Sequence, residues 1–373
     1  MAKIIYFLLA MLCYGVVMAI PSTLPQDCEG WIKVEVNESE WSGCNKSIIT
    51  VNGIPTTSCA GELIFNEDFD GDTLDPKKWT AQNRFPSSPT NEFNIYLDDV
   101  KDVLQLKNGL VRIKPKLTVE HLKMIDTEGA TLDLGPHGTS PRHRGECSFT
   151  PEGLNKIPPY ISAHFTTKYK FSFKYGRIEV RAKMPQAMWV YPQLWLHSTY
   201  YDLGQIRIAQ ARNDGSNTDL ITGLVLHDHP DLHSLFLCVN RTRGNLFDDF
   251  HIYEMLWTPD VITFSLDNVE YCRHEVNSEA EAFHNLNSWS KLYDRHVLEF
   301  WGKWAPFDQE IYLLVGEEIG GLREFHDGYW SQEKPRQNTD ARAMFTFGNA
   351  LRNNSKWMDR AAFEIDYIKV YAV

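Results

Sequence analysis

Short runs in which apolar and polar residues alternate recur along most of this chain. Val111-Arg112-Ile113-Lys114 alternates, and so does Ile178-Glu179-Val180-Arg181-Ala182-Lys183 after Tyr175-Gly176. Tyr253 to Trp257, Val261 to Leu266 and Phe363 to Val370 are further β-rich runs, bounded by Pro, Asp, Asn or Gly. Side chains on a strand point alternately to its two faces, so this period predicts half-buried strands, and the regular turn signals predict an antiparallel sandwich. No long 3.6-residue periodicity and no internal repeat is present. The stretch from Glu120 to Pro158 is poor in alternation and rich in Gly, Pro and His, which predicts a long surface loop.

The N-terminus breaks this texture. Met1-Ala2-Lys3 carries one positive charge, Ile4 to Val17 is almost wholly apolar, and Val17-Met18-Ala19 offers small residues before Ile20-Pro21. That layout predicts a cleaved secretory signal over residues 1–19. The run is shorter than the roughly 20 apolar residues a bilayer-spanning helix needs, and no other stretch reads as a span. Residues 20–60 hold three prolines, three cysteines and two sequons, and are too short for an immunoglobulin-like sandwich. They read as a stapled leader to a single β domain over residues 61–373.

Composition narrows the function classes. A net charge of −12 and a pI near 5.5 exclude the basic footprint of nucleic-acid binders and disfavour a grip on anionic membranes. Aromatic residues make up 13% of the chain, as suits an all-β core or a sugar cleft. Cys28, Cys44, Cys59, Cys147, Cys238 and Cys272 remain after the signal, an even set with no Cys-x-x-Cys pair, which predicts disulfides rather than zinc. Three leader cysteines cannot all pair among themselves, so at least one bridge into the main domain is expected if none is free. Asn37, Asn45, Asn240 and Asn353 each open a glycosylation sequon.

Several blocks resemble one known group. Gly61-Glu62-Leu63-Ile64-Phe65-Asn66-Glu67-Asp68-Phe69-Asp70-Gly71, with Leu74-Asp75 and Trp79, is similar to the entry segment of glycoside hydrolase family 16. The likeness runs through Asn91 to Tyr96, Asn108-Gly109-Leu110, Phe171 to Pro185, Phe250 to Glu254, Trp257 to Asp260, Pro306 to Gln309 and Ile365 to Val370. The blocks fall in family order over residues 61–373. Within that family they look most like the insect β-1,3-glucan recognition proteins, also called Gram-negative-bacteria-binding proteins. The resemblance implies an all-β fold: a β-jelly roll of two curved antiparallel sheets with a concave sugar cleft.

Active members of the family carry Glu-Ile-Asp-Ile-x-Glu on one strand. Residues two apart share a strand face, and one bulge residue brings the third side chain to that face. Two carboxyls then stand about 5 Å apart, as a retaining glycosidase requires. Here the matching segment is Gly204-Gln205-Ile206-Arg207-Ile208-Ala209-Gln210, preceded by the strand Val190-Tyr191-Pro192-Gln193-Leu194-Trp195. Gln205, Arg207 and Gln210 therefore stand at the three carboxylate positions. An amide neither attacks an anomeric carbon usefully nor donates a titrating proton, and a guanidinium opposes an oxocarbenium-like transition state. The expectation is a pseudoenzyme with no catalytic residues.

Trp189, Tyr191 and Trp195 share one strand face and could stack against sugar rings. The same pattern fits rings packed in a core, and the sequence leaves the two open. The family's Leu-His-Trp-Gly-Pro stretch reads Leu226-His227-Asp228-His229-Pro230 here, so His227 joins the sugar-binding candidates while one subsite tryptophan is lost. His227, His229 and His233 read as solvated loop histidines, and no metal or cofactor is expected. The structural calcium of some family members leaves Glu67 and Asp366 as positions to inspect. What the resemblance implies is a secreted, extracellular recognition protein of innate immunity. Its ligand would be β-1,3-glucan or a related microbial cell-wall polysaccharide, and its downstream partner an immune serine-protease cascade. Two alternatives stay open: a hydrolase using displaced carboxylates such as Glu92 or Asp202, and an interaction protein without sugar affinity.

Overall fold

The computed structural model describes residues 44–86, 91–122, 131–140, 145–153, 156–199, 204–213, 218–226, 236–242, 246–275, 304, 307–322, 324–325, 327 and 334–373. Asn45 to Val373 form one compact unit built on two large sheets. The larger has ten strands. Along its main path run Phe236–Thr242, Thr218–Leu226, Gly204–Asn213, Val190–Ser198, Ile311–Ile319, Phe173–Lys174, Lys46–Val51 and Ile54–Cys59. The eight-stranded sheet runs Val269–Glu275, Val261–Leu266, His251–Trp257, Gly176–Lys183, Phe363–Tyr371, Leu110–Ile113 and Leu104–Lys107, with Leu63–Glu67 also on Phe363–Tyr371. Every pairing inside these two sheets is antiparallel.

The alternation read from sequence sets the packing. Along Gly176–Lys183, Ile178, Val180 and Ala182 are buried, while Arg177, Glu179 and Arg181 lie on the outer side. The outward residues pair across strands, Arg177 with Glu254 at 2.5 Å and Arg181 with Asp366. From the larger sheet, Leu194, Leu196, Ile206, Ile208, Leu220, Leu224, Leu313 and Val315 meet them in a single apolar cluster. This is the sandwich core, and apolar burial at about 25 cal/mol per Å² makes it the main source of stability.

The larger sheet is covered on its other face as well. A second apolar cluster there joins Trp189, Tyr191, Trp195 and Leu314 to Phe93, Tyr160, Phe325, Phe347 and Trp357. Phe347 belongs to the helix Ala343–Leu351 and Trp357 to the helix Ser355–Arg360, whose start is fixed by the Asn354 side chain accepting from Trp357 N–H. These helices are short, which is why no long helical period shows in the sequence.

Two sequence expectations are corrected. The Glu120 to Pro158 stretch is not a bare loop. It holds the end of a helix, Thr118–Leu122, and a hairpin of Leu132–Asp133 with Ser148–Phe149, with Glu146 and Cys147 buried. The expected bridge from the leader to Cys147, Cys238 or Cys272 is also absent among the described residues. Cys238 pairs with Cys272, Cys147 is a buried free thiol, and Cys44 and Cys59 are each disulfide-bonded. The hairpin Lys46–Val51 with Ile54–Cys59 lies in residues read as leader. It hydrogen-bonds into the ten-stranded sheet through Thr50 opposite Lys174.

Cys238 lies on the edge strand of the larger sheet and Cys272 on the edge strand of the smaller, so their bond clips the two sheets together at one end. With a sequence separation of 34 between the cysteines, chain-entropy reasoning puts its contribution at about 3 to 4 kcal/mol. Non-reducing peptide mapping should return a Cys238–Cys272 peptide pair. Cys147 should be alkylated only after unfolding. A bridge from Cys147 to any other cysteine would contradict this pattern.

Candidate functional site

The bulge expected on the motif strand is present. Arg207 stands opposite Gly223 and Gln210 opposite Ile221, so Ile208 and Ala209 together face Thr222. The buried Thr222 hydroxyl lies 2.7 Å from the Arg207 carbonyl and 2.9 Å from that of Ile208, tying down the extra residue. The consequence is the one the spacing requires. Arg207 and Gln210 share a face, with Arg207 Nη1 donating to Gln210 Oε1 at 2.9 Å. On the neighbouring strand Trp195 sits opposite Arg207, and His197 opposite Gln205.

Arg207 is only 2% exposed and Gln210 fully buried. A buried guanidinium must be paired and hydrogen-bonded to be tolerated. The counter-charge is Glu324, which follows the Ile311–Ile319 strand. Its Oε1 lies 3.0 Å from Arg207 Nη1, and its Oε2 accepts from Gln210 Nε2 at 2.8 Å. Arg212 Nη1 donates to the Glu324 carbonyl at 2.7 Å and approaches Oε2 at 3.5 Å. The Arg207 guanidinium also lies over the Trp195 ring, 4.5 Å from its centroid. Breaking such a buried pair typically costs about 3 to 5 kcal/mol.

A turn at Gly320-Gly321 brings Glu324 there. Both glycines have positive φ, +66° and +84°, and a Cβ on Gly320 would meet the Phe93 ring at 2.3 Å. Gly320 N–H donates to the Trp189 carbonyl at 2.8 Å. Trp189 itself sits at φ +66°, a left-handed conformation uncommon for a residue with a side chain. Phe325 then packs edge-on against Trp189 and Tyr191, with ring centroids 5.5 and 5.6 Å apart.

The sequence-predicted rings therefore come together on the face away from the sandwich core, beside Arg207 and Gln210. Trp189, Tyr191 and Trp195 are 3%, 0% and 4% exposed. Asp202, His227, His229 and His233 lie outside the described residues, as does Asn37. Asn45 and Asn353 are exposed, and Asn240 is half-buried on an edge strand. Glu67 is occupied by Phe69 N–H, Trp79 Nε1–H and Lys78, while Asp366 pairs with Arg181. Among the described residues, Cys238, Cys272 and His274 bring metal-ligating atoms together, but the disulfide consumes two of them.

Next to the motif lies a buried polar network that sequence reasoning missed. Glu318 accepts from Tyr96 Oη at 2.9 Å, from Gln193 Nε2 at 2.5 Å and from Tyr191 Oη. Glu92 is bound to Arg84 at 3.0 Å and is 1% exposed, so the candidate displaced carboxylate is already paired. Burial, then repulsion from Glu92, holds the Glu318 carboxyl well above the usual carboxylate range. The Glu-Glu pair at 317–318 is the available sequence signal, because two acids within an otherwise apolar strand must be reconciled with burial.

The fold of this arrangement is matched in solved laminarinases. The catalytic domain from Thermotoga maritima aligns over 84% of this chain and 99% of its own, with a TM-score of 0.51 and 18% identity. The laminarinase from Rhodothermus marinus gives 0.51 and 21% over 84% of this chain and 97% of its own. Among curated sequences, Gram-negative bacteria-binding protein 3 of Drosophila melanogaster is 37% identical over 346 residues, 89% of this chain and 68% of that protein. The chain belongs to the family of Gram-negative-bacteria-binding and β-1,3-glucan-binding proteins. The family's β-1,3-glucan-binding protein of Tenebrio molitor is 32% identical over 89% of this chain and 69% of its own length. No family model matches the chain. Among the described residues, no helix is long and apolar enough to cross a membrane.

The network yields a pH prediction. Folded Glu318 keeps its proton above the pH at which an unfolded glutamate, of pKa about 4.3, loses it. Its contribution to stability is therefore fully present below about pH 4 and is lost as pH rises through the folded value. Glu318→Gln should flatten the rise in urea sensitivity between pH 4 and 8. An unchanged slope would contradict the buried neutral carboxyl.

Proposed function

We propose that this chain is a secreted recognition protein that binds β-1,3-glucan without hydrolysing it. The observation that carries the reading is the motif strand. By the resemblance to glycoside hydrolase family 16, Gln205, Arg207 and Gln210 stand where a retaining mechanism needs carboxylates, and the bulge holds Arg207 and Gln210 on one face. Neither an amide nor a guanidinium supplies the nucleophile or the acid of that mechanism. The names of the relatives support glucan as the ligand class.

Sugar contacts in this reading come from Trp189, Tyr191 and Trp195, with His227 a further candidate from the sequence, and become available where the Glu324-Phe325 cover is displaced. Residues 1–19 are a signal removed on secretion, and the sugar-binding domain of residues 61–373 takes in the hairpin of residues 46–59, which the larger sheet includes. Asn37, Asn45, Asn240 and Asn353 are the proposed glycan attachment sites, and an extracellular protease cascade is the proposed downstream partner. The displaced-carboxylate alternative is disfavoured at Glu92 by its ion pair with Arg84.

Pull-down on insoluble β-1,3-glucan, run beside a reducing-sugar assay on laminarin, tests both halves. The protein should sediment with the glucan and release no reducing ends above a blank. Turnover that is lost in Glu92→Gln would favour the hydrolase. Absence of both binding and turnover in a folded sample would favour an interaction protein without sugar affinity.

A further inference from the structure

The Arg207, Gln210 and Arg212 side chains converge on one carboxylate, and that carboxylate is delivered by a residue 114 positions beyond Gln210. We propose that these three residues form a subsite for the carboxylate of an acidic sugar, occupied within the chain by Glu324. The subsite lies on the face where the glucan-binding reading seats its ligand, and it rests on that reading only for the location of the sugar.

Three observations support the assignment. The pocket is built from buried polar side chains, with Arg207, Gln210 and Arg212 respectively 2%, 0% and 8% exposed. The occupant carries two features side by side: the Glu324 carboxylate against the guanidiniums, and the flat apolar ring of Phe325 against Trp189 and Tyr191. A uronic-acid residue carries the same two features, a pyranose face that stacks on aromatic rings and a carboxylate on its rim. Charge selects among ligands. A neutral glucan that displaced Glu324 would offer the guanidiniums hydroxyl oxygens only, whereas charge-assisted bonds to a carboxylate are roughly twice as strong as neutral ones. A ligand that replaces Glu324 without loss has to bring an anion with it.

The attachment of the occupant is local. Gly320 and Gly321 precede it at positive φ, and its flank is held by Lys334 and Arg336, which donate to the Phe325 and Gly321 carbonyls. Removing the Glu324 side chain therefore vacates the pocket while these backbone contacts stay in place.

The test uses the full secreted chain, the variant Glu324→Ala and three probes: sodium glucuronate, sodium acetate and glucose, at ionic strength matched with chloride. Glu324→Ala should melt below the parent. Glucuronate and acetate at millimolar concentration should raise its melting temperature by several degrees, glucose should not, and the parent should respond to none. Laminarin oligosaccharides oxidised to carboxylates at C6 should bind the variant at least tenfold more tightly than the parent, with no matching gain for neutral laminarihexaose. An equal gain for both would overturn the proposal, leaving Glu324 as a steric plug. No response to either anion would also overturn it, leaving a structural ion pair. If Glu324→Ala does not fold alone, refolding it in acetate or glucuronate should restore the folded yield where glucose does not, and equal failure in all three would overturn the proposal. Neutral-glucan pull-down with the parent separates the two readings. A parent that retains glucan beside an anion-blind variant sinks the subsite alone, while a glucan-blind parent beside an anion-responsive variant sinks only the glucan reading.

Discussion

A guanidinium buried on the floor of a sheet has to find an anion, and much of the arrangement on the outer face of the larger sheet follows from that demand. Arg207 cannot shed its charge, so the chain that leaves the Ile311–Ile319 strand brings Glu324 back over it. Gln210 and Arg212 then complete the cradle, and Phe325, next in sequence, is carried onto Trp189 and Tyr191. A retaining glycosidase presents two carboxyls to its sugar. Here the polarity is reversed. The strand supplies the cation and amide, and the carboxylate comes from another part of the chain.

This reversal explains why the larger sheet is apolar on both faces. One face builds the sandwich core, while the other carries a second cluster running from Trp195 to the two C-terminal helices. In the proposed reading, recognition at that face would exchange a cover for a ligand, so affinity there would be a difference between two sets of contacts. The buried network of Glu318, Tyr96, Tyr191 and Gln193 fixes the orientation of Tyr191 from below.

Much of the fold is legible in the sequence because strand alternation is a local signal. Ile178, Val180 and Ala182 could be assigned inward without knowledge of any partner strand, and the family resemblance implied the bulge between Arg207 and Gln210. What covers a face is a long-range property. The rings of Trp189, Tyr191 and Trp195 could be put on one face but not given a neighbour, since Phe325 lies 130 or more positions away. Glu324 left no local mark beyond the Gly320-Gly321 pair that turns the chain toward it. The disulfide pattern was hidden for the same reason, because counting cysteines does not show that residues 238 and 272 sit on facing sheet edges.

The central claim is that no carboxylate on or beside the outer face of the larger sheet acts as a glycosidic nucleophile. Intact-mass analysis after prolonged incubation with an epoxyalkyl β-1,3-gluco-oligosaccharide tests it most directly, because such reagents esterify the nucleophile of a retaining enzyme. The account predicts an unmodified protein mass. A stoichiometric adduct, mapped to Glu92, Glu318 or Glu324, would contradict it.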